Sequence, residues 1–284
     1  MKKIVISTLL MGLVGIASAQ TVSLGGTIRY DVVDADGAAT TAGVSKSEIT
    51  FRATEEIGKG IKVTAGLGLN GAGRGETVEG TDAFVAVATP VGELMVGQVE
   101  VANGIIGNSQ DLAPVIGSEG VVLAATENKD VVKYTSPAVA GFKASLSATR
   151  ALGANGASSS ADYAYTVGVA GAVGPVTGKV DYTDGTERIR VSGSVNVMGV
   201  AVGAGWSGNE KNVKNSWSVG AAMPVGPLTV GAAYSEGNGK AKEVGAQYNL
   251  SKRTSVGVAY QDITENTVAA NNISTTRVRL QHTF

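Results

Sequence analysis

The feature that most constrains the fold is an alternation of apolar and polar or glycine residues with a period of two, repeated along nearly the whole chain. It is clear in residues 61–69, where Ile, Val, Ala and Leu alternate with Lys, Thr and Gly, and it recurs in residues 142–148 and 278–284. Successive side chains of a β-strand point to opposite faces, so this period predicts strands with one apolar and one polar face. Beyond residue 19 no window has helical periodicity, and none is a continuous apolar run of about 18 residues.

Composition narrows the class further. The 284 residues include no cysteine, which excludes a disulfide-stapled domain and a zinc site built on thiolates. The 40 glycines amount to about 14% of the chain, twice the usual share of roughly 7%, and they follow no Gly-X-Y period that would indicate collagen. Basic and acidic residues nearly balance, at 23 and 24, so nothing suggests a nucleic acid as partner. The composition therefore indicates a glycine-rich β protein.

The first residues read as a secretory signal peptide. Lys2 and Lys3 form a basic start, residues 4–16 form an apolar core, and Ala17 and Ala19 flank Ser18 in a small-residue cleavage site. The apolar core is shorter than the roughly 20 residues that a membrane-spanning helix needs. We therefore expect residues 1–19 to be a signal peptide that is cleaved after Ala19, and residues 20–284 to form a single barrel domain.

Tight turns alternate with longer polar loops. Turns are predicted at 58–60, 90–92, 137–141, 174–175, 198–199, 226–227 and 251–253, and loops at 35–44, 71–81, 100–128, 153–160, 184–187, 208–215, 236–240 and 262–274. Seven turns and eight loops separate sixteen strands. An even strand number, with short turns at one end and longer loops at the other, is typical of bacterial transmembrane barrels.

A soluble sandwich or lectin-like barrel is the competing architecture, because its strands alternate as well. Its apolar face would point inward, and its strands would average about 5–6 residues. The strands predicted here are nearer the 9–11 residues that cross a bilayer at a tilt. We therefore predict an all-β, 16-stranded antiparallel transmembrane barrel with apolar side chains outside and polar ones lining a lumen. Most aromatic residues, Phe84 among them, are expected in a girdle at the outer strand ends.

Five segments carry a family resemblance in the same order along the chain. They are residues 47–62, 83–85 with 92–97, 132–137 with 140–142, 248–254, and 280–284. Together they resemble the strand and turn blocks of Gram-negative trimeric general porins of the beta-proteobacterial type. The resemblance implies a homotrimer in the outer membrane of a Gram-negative bacterium, surrounded by lipid and lipopolysaccharide. It also implies a third loop folded into the barrel and passive diffusion of ions and small hydrophilic solutes.

Two further features are read against that family. The terminal Phe284, with Leu280 and Val278 on the same face, resembles the signal that the barrel-assembly machinery recognises. Glu48 and Gln98 stand where the family usually has Arg, whereas Lys133 keeps a positive charge where Arg is common. These departures leave the ion preference open.

Alternation also selects candidate pore-lining residues on the strands, namely Arg29, Asp31, Glu48, Arg52, Lys62, Lys133, Arg277 and Arg279. The family resemblance, which implies an inward-folded third loop, adds Asp111 and Glu119 on the longest loop as constriction candidates. Because strand 16 must pair with strand 1 to close the barrel, the basic residues of strands 16, 1, 2 and 3 should form one arc. An acidic third loop facing this basic arc would set a transverse field across the pore, and such charges are the usual source of ion preference.

Catalysis has little support in the sequence. A Ser–His pair needs a histidine beside the nucleophile, and the only histidine, His282, lies near the C-terminus on the predicted lipid-facing side. No His/Cys cluster suggests a metal, and no motif suggests a cofactor. A barrel enzyme is therefore disfavoured, whereas a non-conducting structural or adhesive barrel stays open as the alternative to a channel.

Overall fold

The chain folds into a closed antiparallel β-barrel of sixteen strands in sequence order, as the turn and loop pattern predicts. The computed structural model describes residues 20–71, 78–102, 126–151, 163–208, 214–237, 239–264 and 272–284. No helix long and apolar enough to span a membrane occurs in these ranges. The predicted signal peptide and most of the predicted third loop lie outside the described residues.

The strands are β1 (Thr21–Ala35), β2 (Thr41–Gly58), β3 (Ile61–Asn70), β4 (Glu79–Thr89), β5 (Gly92–Ala102), β6 (Thr126–Thr135), β7 (Phe142–Ala151), β8 (Ala164–Val173), β9 (Val176–Thr183), β10 (Arg188–Val197), β11 (Val200–Gly208), β12 (Ser216–Val225), β13 (Leu228–Glu236), β14 (Lys240–Asn249), β15 (Thr254–Thr264) and β16 (Ile273–Thr283).

The barrel closes where β1 pairs with β16, a junction that we call the seam. The register runs from Thr27 opposite Thr283 to Ala35 opposite Thr275. Below this ladder, Gly26 and Phe284 exchange two backbone hydrogen bonds of 3.1 Å each. Closure pairs both strands that would otherwise end the sheet, so no edge is left to bond with another chain.

The two faces of the barrel differ in polarity in the direction opposite to a soluble protein. Charged side chains such as Asp31, Asp181 and Arg190 are buried on the inner face, whereas large apolar side chains such as Leu24 and Val167 are exposed on the outer one. A soluble sandwich would bury its apolar face, so this distribution excludes that alternative. The inner face instead belongs to a polar lumen, and the outer face is suited to lipid.

Backbone conformation at the tight turns explains why glycine is placed there. The two-residue turns Lys59–Gly60 and Met198–Gly199 have positive φ at both positions, 55° and 72° in the first, 52° and 84° in the second. Positive φ at both central residues defines the hairpin turn whose twist matches that of the flanking strands, and glycine adopts it without steric cost. All seven predicted tight turns fall at the junctions of consecutive strands, although Gly58 and Gly92 are the end residues of β2 and β5.

The structure corrects the sequence expectations at several strand ends, the first hairpin among them, and for one aromatic residue. The first hairpin is longer than predicted, because β1 continues to Ala35 and β2 starts at Thr41, so the loop shrinks to residues 36–40. Phe84 does not join an outer girdle. It lies opposite Gly66 on the inner face, beside the guanidinium of Arg52. The face that Phe84 shares with Ala86 and Ala88 is as apolar as the outer one, so alternation alone could not place it.

The seam predicts a stability difference between two Gly→Ala variants. A Cβ on Gly26 would lie 2.5 Å from Cζ of Phe284 and would also collide with the carbonyl of Glu48, whereas a Cβ on Gly178 would meet only the Ser192 carbonyl oxygen, at 3.9 Å. We expect Gly26→Ala to lower the free energy of unfolding by about 1–3 kcal/mol, as overpacking does, and Gly178→Ala to change it little. Urea unfolding of the folded barrels in detergent micelles measures both, and equal stabilities would contradict this account of the seam.

Candidate functional site

A cluster of charged side chains crosses the seam on the inner face. Arg279 of β16 donates from Nε and Nη2 to the two carboxylate oxygens of Asp31 on β1, both at 2.8 Å. Nε of Arg277 lies 3.6 Å from Oδ2 of the same carboxylate. We call Asp31, Arg277 and Arg279 the seam cluster. Arg29, one inward position below Asp31, donates from Nε to Oε1 of Gln281 at 2.7 Å.

Register is what brings the seam cluster together. Asp31 is directly opposite Arg279, and Arg277 is opposite Val33, the next inward residue of β1. Asp31 is only 4% exposed, so its charge depends on the two arginines for compensation. The basic arc expected from the sequence therefore exists across the seam, but it has an acidic residue at its centre.

A second cluster lies on the opposite wall, because β9 and β10 stand halfway around the sixteen-strand barrel from the seam. Arg190 donates from Nε to Oδ1 of Asp181 at 2.6 Å, and Nζ of Lys179 lies 3.7 Å from Oδ2 of Asp181. Asp181, Lys179 and Arg190 form what we call the opposite cluster. Both clusters combine one carboxylate with two cations, so each keeps a net positive charge.

The charge of Glu48 is balanced locally. Its Oε2 lies 2.6 Å from Nζ of Lys46, two residues earlier on the same face of β2. The acidic residue that replaces the family's usual Arg thus comes with its own cation. This pair is partly exposed, at 34% for the Lys46 side chain and 26% for that of Glu48.

Arg52 differs from the other inward arginines of the seam region. Its Cζ lies 5.9 Å from the centroid of the Phe84 ring, and it forms no ion pair with a described residue. Lys62 and Lys133 also face inward, on β3 and β6. Among the candidates from the sequence, Asp111 and Glu119 lie outside the described residues.

Several inward residues were not among the candidates, although the same alternation marks them. Lys46 and Asp181 hold the ion pairs described above. Glu243 on β14 is buried and accepts a hydrogen bond from Nε2 of Gln261 at 2.6 Å. Gln98 lies on the outer face, opposite Ala83 and Asp130, so it is not a lumen counterpart of Arg52.

The outer face near the C-terminus holds the residues of the expected assembly signal. Val278, Leu280 and Phe284 are exposed there. His282 lies among them, with Nδ1 at 2.9 Å from Oγ1 of Thr254 and its ring 6.5 Å from that of Phe284. Within the described ranges, no group of three His, Cys, Asp or Glu side chains could hold a metal ion.

A sequence model of the Gram-negative porin family matches residues 7–267. The chain belongs to this family. It is a diffusion channel of the outer membrane, and its inner face lines the water-filled passage. No curated protein matches the porin chain in a sequence search.

Solved structures share the fold of this porin at low sequence identity. A loop-deletion mutant of OmpT, an outer membrane protein of Vibrio cholerae, is 14% identical with a TM-score of 0.73, and the match covers 94% of this chain and all of that one. A mutant of the Rhodopseudomonas blastica porin is 15% identical with a TM-score of 0.72, covering 93% of this chain and all of that one. The anion-selective porin from Comamonas acidovorans is 18% identical with a TM-score of 0.67, again over 93% of this chain and all of that one.

The seam cluster predicts that Asp31 contributes more to stability than Glu48. We expect Asp31→Asn to lower the free energy of unfolding by about 3 kcal/mol, because it removes the carboxylate that pairs with the largely buried Arg279 and lies beside the more exposed Arg277. Glu48→Gln breaks a partly exposed pair and should cost about 1 kcal/mol or less. Urea unfolding in micelles measures both variants. Equal losses would show that the seam carboxylate is solvated like a surface residue.

Proposed function

We propose that this porin is a general diffusion channel with a preference for anions and small hydrophilic anionic solutes. The observation that carries the proposal is the charge of the inner face, on which, among the residues that the structure describes, basic side chains outnumber acidic ones. The described inward basic residues are Arg29, Lys46, Arg52, Lys62, Lys129, Lys133, Lys143, Lys179, Arg188, Arg190, Arg277 and Arg279, and the described inward acidic residues are Asp31, Glu48, Glu56, Glu79, Asp82, Glu93, Asp181 and Glu243.

The positions of these charges strengthen the argument. Each of the two facing clusters keeps a positive excess after its ion pairs are formed, so a passing ion meets cationic walls on both sides. Rings of charged side chains control which ions pass through a pore. The Comamonas acidovorans porin of the same fold is anion-selective, which is consistent with the proposal.

Within this proposal the passage is lined by Arg29, Arg52, Lys62, Lys133, Arg277 and Arg279. Its positive charge is partly offset by Asp31 and Glu48. Asp111 and Glu119 would face the basic arc from the third loop. The assembled form is a homotrimer embedded in lipid and lipopolysaccharide, inserted by the barrel-assembly machinery through the outer-face residues Val278, Leu280 and Phe284. We assign no catalytic role, because His282 lies opposite Ile28 on the outer face, away from the aqueous lumen.

Ion selectivity tests the proposal directly. In planar bilayers with a KCl gradient, the reversal potential should show chloride passing more readily than potassium. Arg52→Gln and Arg279→Gln should each reduce the chloride-to-potassium permeability ratio, by up to about thirtyfold, since a unit charge at about 4 Å in water shifts the energy of each ion by about 1 kcal/mol in opposite directions.

The control removes a positive charge outside the lumen. Lys252→Gln lies in the turn between β14 and β15 and should leave the ratio unchanged. Cation preference with unaltered Arg52 and Arg279 variants would refute the basic lumen. A folded barrel that carries no current would instead support the non-conducting structural or adhesive alternative.

A further inference from the structure

A recess in the inner wall between β1 and β4 has the chemistry of a binding site. Its volume is about 330 Å³, and its lining includes Thr50, Arg52, Gly66, Gly68, Asp82 and Phe84. Ligand pockets in proteins start at about 300 Å³, so the recess is large enough for a small solute.

Cross-strand register builds the recess from two rows of neighbours. In the first row Arg52 of β2 is opposite Gly66 of β3, which is in turn opposite Phe84 of β4. A side chain on Gly66 would overlap the Phe84 ring, so the glycine lets the ring lie against the wall beneath the guanidinium. In the second row Thr50 is opposite Gly68, and Cβ of Asp82 lies 3.6 Å from the position that a Cβ on Gly68 would occupy.

The charges of the recess differ from those of the two clusters. Arg279 and Arg190 have carboxylate partners, whereas Arg52 has none among the described residues. Asp82 also lines the recess but forms no ion pair with Arg52, and its Oδ1 accepts a hydrogen bond of 3.0 Å from the backbone N–H of Glu100. Within the described part of the chain, therefore, no carboxylate takes up the hydrogen-bonding groups of this guanidinium, which are available to a solute.

We propose that this recess binds monocarboxylates that carry an aromatic or similarly flat apolar group. Arg52 takes the carboxylate through charge-assisted hydrogen bonds, the Phe84 ring packs against the apolar group, and the Thr50 hydroxyl lies within the same recess. Asp82 repels a second carboxylate, so aromatic dicarboxylates bind less well than monocarboxylates. The inference rests on the proposed anion-conducting function and adds a solute class to it.

The test uses benzoate, acetate and isophthalate as probes of the wild-type channel in planar bilayers. Benzoate should reduce the chloride current in a saturable manner, at lower concentration than acetate, which lacks a ring, and than isophthalate, which carries a second carboxylate. Each block is scored against the same channel's own current. Equal block by all three probes would overturn the recess.

Three substitutions separate the contributions. Arg52→Gln should weaken benzoate block about tenfold or more, because it removes charge-assisted hydrogen bonds. Phe84→Leu should weaken benzoate block by about threefold and leave acetate unaffected, because only the ring contact is lost. Asp82→Asn should bring isophthalate block close to that of benzoate. Lys59→Asn is the matched control, since it removes a positive charge from the exposed turn of the same β2–β3 hairpin, and it should leave benzoate block unchanged.

The result for Phe84→Leu distinguishes this proposal from general anion selectivity, because that variant leaves every charge in place. If the channel conducts anions but benzoate blocks wild type and Phe84→Leu equally, the proposed binding of aromatic monocarboxylates is refuted and the proposed anion conduction stands. If the folded barrel carries no current, the channel proposal fails. Saturation-transfer NMR of benzoate with the protein in micelles then tests whether the recess binds benzoate. A benzoate signal that falls in Arg52→Gln and Phe84→Leu supports it, and an equal signal in all variants refutes it.

Discussion

Closure of the backbone hydrogen-bond ladder is the constraint on which the rest of the structure depends. The hydrocarbon of a membrane offers no partner for a backbone N–H or C=O group, so a sheet that crosses it must bond every strand to two neighbours. Pairing of β1 with β16 meets this requirement and fixes the register in which Asp31 faces Arg279. Because side chains alternate between faces, the same closure decides which residues contact water inside the barrel and which contact lipid outside it.

Some lumen arginines are paired with carboxylates and Arg52 is not, and this difference has consequences for their roles. Arg279, Arg277 and Arg190 are held by carboxylates and join neighbouring strands, so they contribute both to the wall's cohesion and to its field. Arg52 lies over an aromatic ring instead and has no carboxylate partner among the described residues. A count of basic residues cannot separate these groups, because the difference is made by cross-strand neighbours.

The sequence was sufficient for the strand number, the turns and the inward position of most charged residues. These follow from local signals, namely the two-residue period and the glycine turns. It was not sufficient for the partners of those charges. Asp31 and Arg279 are 248 residues apart in the sequence, and no local pattern predicts that they form an ion pair. The sequence prediction places Phe84 on the wrong face because its face of β4 is rich in alanine. Both faces of this strand are apolar, so the pattern does not distinguish the inner face from the outer one.

Glycine on the strands connects composition to the pore. Gly66 and Gly68 leave the inner wall of β3 without side chains at two successive inward positions, and the side chains of the flanking strands lean over the space. A larger residue at Gly66 would displace the Phe84 ring and separate it from Arg52. The glycine content that first suggested only a β protein thus determines where the lumen wall can be concave. The outer face of the barrel must remain apolar to contact lipid. Glycine at inward positions makes the inner wall concave without a change in the strand backbone.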